Sequence, residues 1–169
     1  MESPLDAELL HIVRSRLLDD YPRQVSACLQ ALGDEEIWWR PNEQSNAVGN
    51  LVLHVAGSNR HYLEHVIGGG ADVRNREAEF AARGGRSRLQ IEDLYEDVTG
   101  IVGRVLDTLT PARLIETTER TGRTSSFARI LLHVTHHNSV HIGQIVWITK
   151  MVRPRVIADL ARTPPPPAR

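Results

Sequence analysis

Apolar residues recur every three or four positions along most of the chain, which is the spacing that one face of an α-helix requires. Four stretches show this period and predict long helices over residues 5–32, from residue 45 or 46 to 67, over 89–109, and from 124 or 125 to 152. No stretch alternates between polar and apolar residues as a half-buried strand does. The pattern therefore predicts an all-α protein, a four-helix bundle.

Pro22 interrupts the pattern of the first stretch. A proline has no backbone N–H, and its ring clashes with the carbonyl group one turn earlier in a helix. We therefore expect a kink or break near Tyr21, unless Asp19 and Asp20 end one helix and Pro22 lies in the first turn of the next.

Composition distinguishes the connections from the helices. Residues 68–88 are rich in glycine, arginine and charge, and they predict a long connection with a short helical turn at residues 77–83. The last seven residues, 163–169, include four consecutive prolines, which are typical of an extended and unpacked segment. The predicted organisation is one bundle domain over residues 1–162 and a disordered tail over 163–169.

Charge and hydropathy exclude two classes of partner. Twenty basic and 21 acidic residues give a net charge of -1, so the positive field that attracts nucleic acid is missing. No apolar run approaches the roughly 20 residues of a membrane span. The first residues do not resemble a signal peptide, and Cys28 is the only cysteine. We expect a cytoplasmic protein with neither a nucleic-acid nor a membrane partner.

Seven of the eight histidines lie in two short stretches, residues 54–65 and 133–141. Helical residues four apart lie about 40° apart around the axis and about 6 Å apart along it. On the fourth helix this places His137 and His141 on the apolar face. Burying two basic rings one turn apart is costly unless something occupies the space between them. The pair therefore predicts a metal site.

A metal site of this kind needs a further ligand, because catalytic zinc sites usually have three protein ligands. His54 on the second helix is the best candidate. His61 and His65 form another pair four residues apart, but about 10 Å of helix separates them from His54, so the two groups cannot bind one ion. We expect that pair on a solvated or interfacial face. The remaining histidines are expected to be structural or at the surface: His11, His133 and His136.

Two segments resemble the DinB-like superfamily, also called the YfiT-like metalloenzymes: Asn50-Leu51-Val52-Leu53-His54-Val55, and His137-Asn138-Ser139-Val140-His141-Ile142-Gly143-Gln144-Ile145. The turn Trp39-Arg40-Pro41 before the second helix fits as well. The resemblance implies that His54, His137 and His141 hold a divalent metal ion. It also implies an up-down-down-up bundle with a long connection between its second and third helices. Histidine ligands suit zinc, nickel, copper and iron, and we expect zinc or nickel.

The resemblance further implies a transfer or isomerisation that uses a low-molecular-weight thiol such as bacillithiol, mycothiol or glutathione. We therefore expect a metal-dependent transferase that joins a small thiol to an electrophilic small molecule. Gln144 lies one turn beyond His141 and could orient water or a ligand. Ile142 stands where many family members carry a basic residue, which removes an anion contact there. No residue is marked as a general base.

Two alternatives stay open. One is a metal-hydroxide hydrolase at the same site. The other is a non-catalytic helical bundle that acts in self-association or in binding a partner, which exposed tryptophans at positions 38, 39 or 147 would favour. A homodimer is compatible with either an enzyme or a binding protein.

Overall fold

The computed structural model describes residues 4–154, so the predicted tail at 163–169 lies outside the described residues. Six α-helices form most of this part: α1 (Pro4–Arg14), α2 (Tyr21–Gln30), α3 (Val48–Asn59), α4 (Arg76–Ala81), α5 (Arg88–Asp107) and α6 (Phe127–Val152). Two π-helical segments, Ser15–Asp20 and Arg60–Ile67, extend α1 and α3. Short 3₁₀ helices occupy Glu36–Trp38 and Pro111–Ile115, and β1 (Thr117–Thr118) pairs with β2 (Ser125–Ser126). The all-α prediction is confirmed.

The first long helical run comprises α1, a π-helical segment and α2, and it packs against α5 and α6. Arg14 donates a hydrogen bond to Asp107 at the end of α5 (2.6 Å), whereas Ser26 donates one to Glu92 near its beginning (2.9 Å). The first run and α5 are therefore antiparallel.

The second helical run, α3 with its π-helical extension, packs against α6 in the antiparallel sense. Asn138 Nδ2 donates to Asn59 Oδ1 at 3.0 Å, and the rings of Tyr62 and His133 lie 4.8 Å apart. Later residues of one run thus meet earlier residues of the other. This pairing places the middle of α3 against the middle of α6, where most of the histidines lie.

Pro22 lies in the first turn of α2, as the alternative expectation placed it. The chain does not break before it, because a π-helical segment joins α1 to α2. A π-helical segment precedes the proline, and the Tyr21 N–H donates to the carbonyl of Arg16, five residues earlier. The wider π turn relieves the clash of the Pro22 ring with the preceding carbonyl groups. Local strain is thus absorbed by a change of hydrogen-bond register rather than by an end to the helix.

Apolar side chains from all four long runs form one continuous core. Its fully buried members include Val25, Leu29, Leu51, Ile91, Leu131 and Ile145. Cys28 is also completely buried, as a lone cysteine in a helix often is. Burial of this apolar surface is the main force that holds the helices together.

The connection between the second and third long runs spans residues 68–87 and is held against the bundle by polar contacts. Asn50 Nδ2 donates to the carbonyl oxygens of Glu79 and Ala82, each at 2.9 Å. Arg40 donates to Asn50 Oδ1 (2.9 Å) and to the Ala82 carbonyl (3.3 Å). The Trp-Arg-Pro turn, the beginning of α3 and the end of α4 are therefore joined.

Helix boundaries differ from the predictions by a few residues. The second run begins after Ala47 rather than after residue 45 or 46, because Asn50 Oδ1 accepts from the Ala47 N–H. Ser126 rather than residue 124 or 125 caps α6, through its hydroxyl and the Arg129 N–H. The predicted turn at 77–83 is α4, capped by Asn75. The two-residue strands were not predicted, because such short strands carry no period.

No helix within residues 4–154 is long and apolar enough to cross a bilayer.

Two glycines provide a matched test of the packing around α3. A methyl group at Gly49 would lie 2.9 Å from Cζ3 of Trp38, whose Nε1 donates to the Arg86 carbonyl and so resists displacement. A methyl group at Gly143 in α6 meets nothing within 4 Å. We expect Gly49→Ala to lower the free energy of unfolding by about 1–3 kcal/mol. Gly143→Ala should leave it unchanged or raise it by up to about 1 kcal/mol.

Urea unfolding monitored by circular dichroism measures both variants against the parent. Equal changes for Gly49→Ala and Gly143→Ala would contradict the contact between Trp38 and α3.

Candidate metal centre

Three histidines converge where α3 packs against α6: His54, His137 and His141. One ring nitrogen of each lies within 4.8 Å of the others. The Nε2 atoms of His54 and His137 are 3.0 Å apart. These separations are short enough for one metal ion to contact all three rings after small side-chain adjustments.

The helices determine which way these rings point. His137 and His141 lie one turn apart on α6, with their ring centroids 4.5 Å apart. Both are partly buried, whereas His54 is only 4% exposed. The Phe80 ring from α4 covers His54, with a centroid distance of 4.5 Å. The cluster is therefore closed on the α3 side and more accessible on the α6 side.

Glu79 fixes the tautomer of His54. Its Oε2 lies 2.8 Å from His54 Nδ1, and both side chains are buried. A carboxylate accepts hydrogen bonds only, so Nδ1 carries the proton and donates it. The neutral ring then has its lone pair on Nε2, which faces the other histidines. A carboxylate behind a ligating histidine is a recurrent feature of metal sites, where it orients the ring and raises its basicity.

Arg74 holds the Glu79 carboxylate in place. Its Nε donates to Oε1 at 2.9 Å and its Nη2 to Oε2 at 3.1 Å. Burial raises the pKa of Glu79, but the hydrogen bonds from His54 and Arg74 and the positive charge of Arg74 outweigh it, and the net pKa is lowered. The carboxylate is therefore ionised at neutral pH.

Gly57 in α3 gives Glu79 the space to reach His54. A Cβ atom at this position would overlap Oε1 of Glu79. Any side chain here would push the carboxylate away from the ring that it orients.

The two ring nitrogens of His137 are placed as those of a metal ligand would be. When the His54 ring is neutral with its proton on Nδ1, His137 Nε2 is the donor in its contact with His54 Nε2. His137 Nδ1 is buried without a hydrogen-bond partner among the described residues, as is Oδ1 of Asn138. If His137 held a metal ion through Nε2, its proton would be on Nδ1 instead. The residues present thus fit a divalent ion.

Burial and neighbouring charge keep the α6 histidines neutral. Burial, followed by the charges of His141 and His54, lowers the pKa of His137 to about 4. Burial also lowers the pKa of His141, although its hydrogen bond to Gln144 acts in the opposite direction. Neutral imidazoles are the form that binds metal, so protons do not compete with an ion at neutral pH.

Gln144 orients His141. Its Oε1 accepts from His141 Nδ1–H at 2.8 Å, which leaves Nε2 of His141 free. The Gln144 amide nitrogen has no hydrogen-bond partner within residues 4–154, and the side chain is exposed. It is therefore available to a molecule that approaches the cluster.

The other histidines lie outside this cluster. His61 Nδ1 contacts Asp72 Oδ2 at 3.1 Å, and His65 Nδ1 donates to the Gly70 carbonyl at 2.7 Å. Both rings are partly exposed. The histidines expected to be structural or at the surface are exposed: His11, His133 and His136.

Sequence reasoning did not find Glu79 and Arg74, which belong to the connection rather than to a long helix. No spacing relates them to the histidines, because 25 residues separate Glu79 from His54. The predicted helical turn at 77–83 already contains Glu79, but a place on a short helix does not show that the carboxylate reaches His54.

The fold is similar to that of known DinB-like proteins. The crystal structure of the DinB-like protein YjoA from Bacillus subtilis matches with a TM-score of 0.65 and 18% sequence identity, over 85% of this chain and 94% of that one. No curated protein matches the sequence.

These observations define an all-α protein with a fold similar to that of a DinB-like protein and with three histidines placed close together, as a metal site requires. The chain belongs to the family described as "Protein of unknown function (DUF1572)", whose model matches residues 5–161.

Proposed function

We propose that the protein is a metal-dependent transferase that joins a low-molecular-weight thiol to an electrophilic small molecule. The observation that carries the proposal is the convergence of His54, His137 and His141 within 4.8 Å, two of them with Nδ1 engaged by a neighbour. Three protein ligands leave a coordination position for a small molecule, as in catalytic rather than structural zinc sites. Zinc and nickel both suit imidazole ligands.

A divalent ion held by three neutral imidazoles keeps its full charge and lowers the pKa of a thiol or water that it binds. The protein supplies the rest. Glu79 and Gln144 hold the rings of His54 and His141 in the metal-binding tautomer, and the free amide group of Gln144 can donate to the substrate. Phe80 excludes water from the buried side. In the transfer, a carbon–sulfur bond forms, the leaving group departs with its electron pair, and the thiol proton passes to solvent.

Metal binding is the first expectation of this proposal. Metal-stripped protein should take up about one Zn²⁺ or Ni²⁺ per chain, measured by plasma mass spectrometry after gel filtration. His54→Ala and His141→Ala should lose the ion, because two histidines hold it far more weakly. Glu79→Gln should weaken binding about 10–100-fold, the usual effect of removing a group that orients a ligand.

His136→Ala is the matched control for metal binding, because His136 is exposed on the same helix and next to His137. Circular dichroism shows whether each variant keeps its helices. The proposal would be contradicted if the parent protein bound no metal, or if all the variants retained it.

Thiol transfer is the second expectation. Zinc- or nickel-loaded protein, incubated with glutathione, mycothiol or bacillithiol and a panel of electrophiles, should form thioether products detectable by mass spectrometry. His141→Ala should abolish the reaction, whereas His136→Ala should keep it. Ester hydrolysis without added thiol would favour the hydrolase alternative instead. A stoichiometric metal with neither reaction would indicate a structural ion.

Self-association is a second candidate function, supported by a separate surface. The outer face of α6 exposes four apolar side chains, with exposures of 46–60%: Leu132, Val140, Trp147 and Met151. Exposed apolar stripes of this kind often mark protein interfaces. We propose a homodimer through this face, which two copies of the chain would cover symmetrically.

Sedimentation equilibrium at several protein concentrations tests the dimer. The parent should dissociate only on dilution, and Trp147→Gln should be monomeric at concentrations at which the parent is dimeric. Leu89→Gln is the control, because Leu89 is 57% exposed and lies on α5 rather than on α6. A monomeric parent at all concentrations would contradict the proposal.

A further inference from the structure

A cavity of about 430 Å³ lies between α3, α5 and the connection. Its volume is within the range of small-molecule pockets. None of the three clustered histidines lines it. Arg74 and Glu79 line the cavity and also contact His54.

The floor of the cavity is apolar. Leu53 and Ala56 from α3 and Leu94 and Val98 from α5 supply it. A hydrocarbon chain or ring of a few carbons placed here would leave water, which is favourable in proportion to the area covered.

The two carboxylates in the wall are already paired. Glu79 is bound by Arg74 and His54. Asp72 accepts from the Arg74 N–H at 3.2 Å and contacts His61 Nδ1 at 3.1 Å. Their negative charges are thus largely compensated by partners within the protein.

The three guanidinium groups in the same wall keep unused donors. Within the described part of the chain, Arg60 bonds Glu64 through Nε only, and Nη1 of Arg74 has no partner. The Arg86 side chain has no partner there either, whereas its backbone carbonyl accepts from Trp38 Nε1 at 2.9 Å. Arg86 is therefore fixed at its backbone with its charge free to bind a ligand.

We propose that this cavity binds a small molecule that carries one carboxylate on an apolar body. The guanidinium groups supply charge-assisted donors for the carboxylate, and the apolar floor receives the body. A single negative charge fits best, because Arg60 and Arg74 are each already paired with a carboxylate, and Arg86 is the one of the three whose side chain has no partner among the described residues. This site is separate from the proposed metal chemistry and does not depend on it.

The probe is 4-phenylbutyrate, titrated into metal-free protein by calorimetry and by amide chemical shifts. We expect saturable binding, with shifts around Arg86 and Leu94. The alcohol of the same shape, 4-phenylbutan-1-ol, should bind at least about 10-fold more weakly, because charged hydrogen bonds are lost. Inorganic phosphate should not displace the probe.

Variants separate this site from a general attraction of anions. Arg86→Gln should weaken binding about 10-fold or more. Ala78→Trp should abolish it, because Ala78 lines the cavity and the indole ring would fill it. Arg88→Gln is the matched control, since Arg88 is paired with Glu92 and does not line the cavity.

His141→Ala should bind the probe as the parent does, whether or not the protein binds metal. Loss of binding in that variant would place the probe at the histidines and overturn the inference. Absence of saturable binding, equal affinity for the alcohol, displacement by phosphate, or equal losses in Arg86→Gln and Arg88→Gln would overturn it as well.

Discussion

The hydrogen bond between Glu79 and His54 is the contact on which the arrangement of the site depends. It is 2.8 Å long, both partners are buried, and it joins the connection to α3. A buried carboxylate is costly unless it is paired and fully hydrogen-bonded. Arg74 meets that requirement, and Gly57 leaves room for it. These residues determine which nitrogen of His54 faces α6.

The connection adopts its position through polar contacts, because it offers little apolar surface of its own. Asn50 donates to the carbonyl groups of Glu79 and Ala82, and Arg40 donates to Asn50 in turn. These groups are buried or partly buried, so leaving any of them unpaired would cost about 1–3 kcal/mol. The network therefore fixes the connection in one place, whereas apolar contacts alone would permit sliding.

The sequence could predict what periodicity encodes. Helical spacing located the four long runs and placed His137 and His141 on the apolar face. His54 was the best candidate for their partner, and the resemblance implied the same residue. Glu79 and Arg74 follow no period, because a tertiary contact between the connection and α3 brings them to the site. Pro22 illustrates the same limit: local chemistry predicts strain at that position, but the surrounding core decides that a π turn rather than a break relieves it.

The histidines and the groups that support them lie on different kinds of segment. The three histidines stand on packed helices, whose positions the core determines. Glu79, Phe80 and Arg74 surround His54 from α4 and the connection, where polar contacts hold them in place. Arg74 and Glu79 belong to both the wall of the cavity and the support of His54. A substitution that moves Arg74 or Glu79 would therefore change both the wall of the cavity and the support of His54.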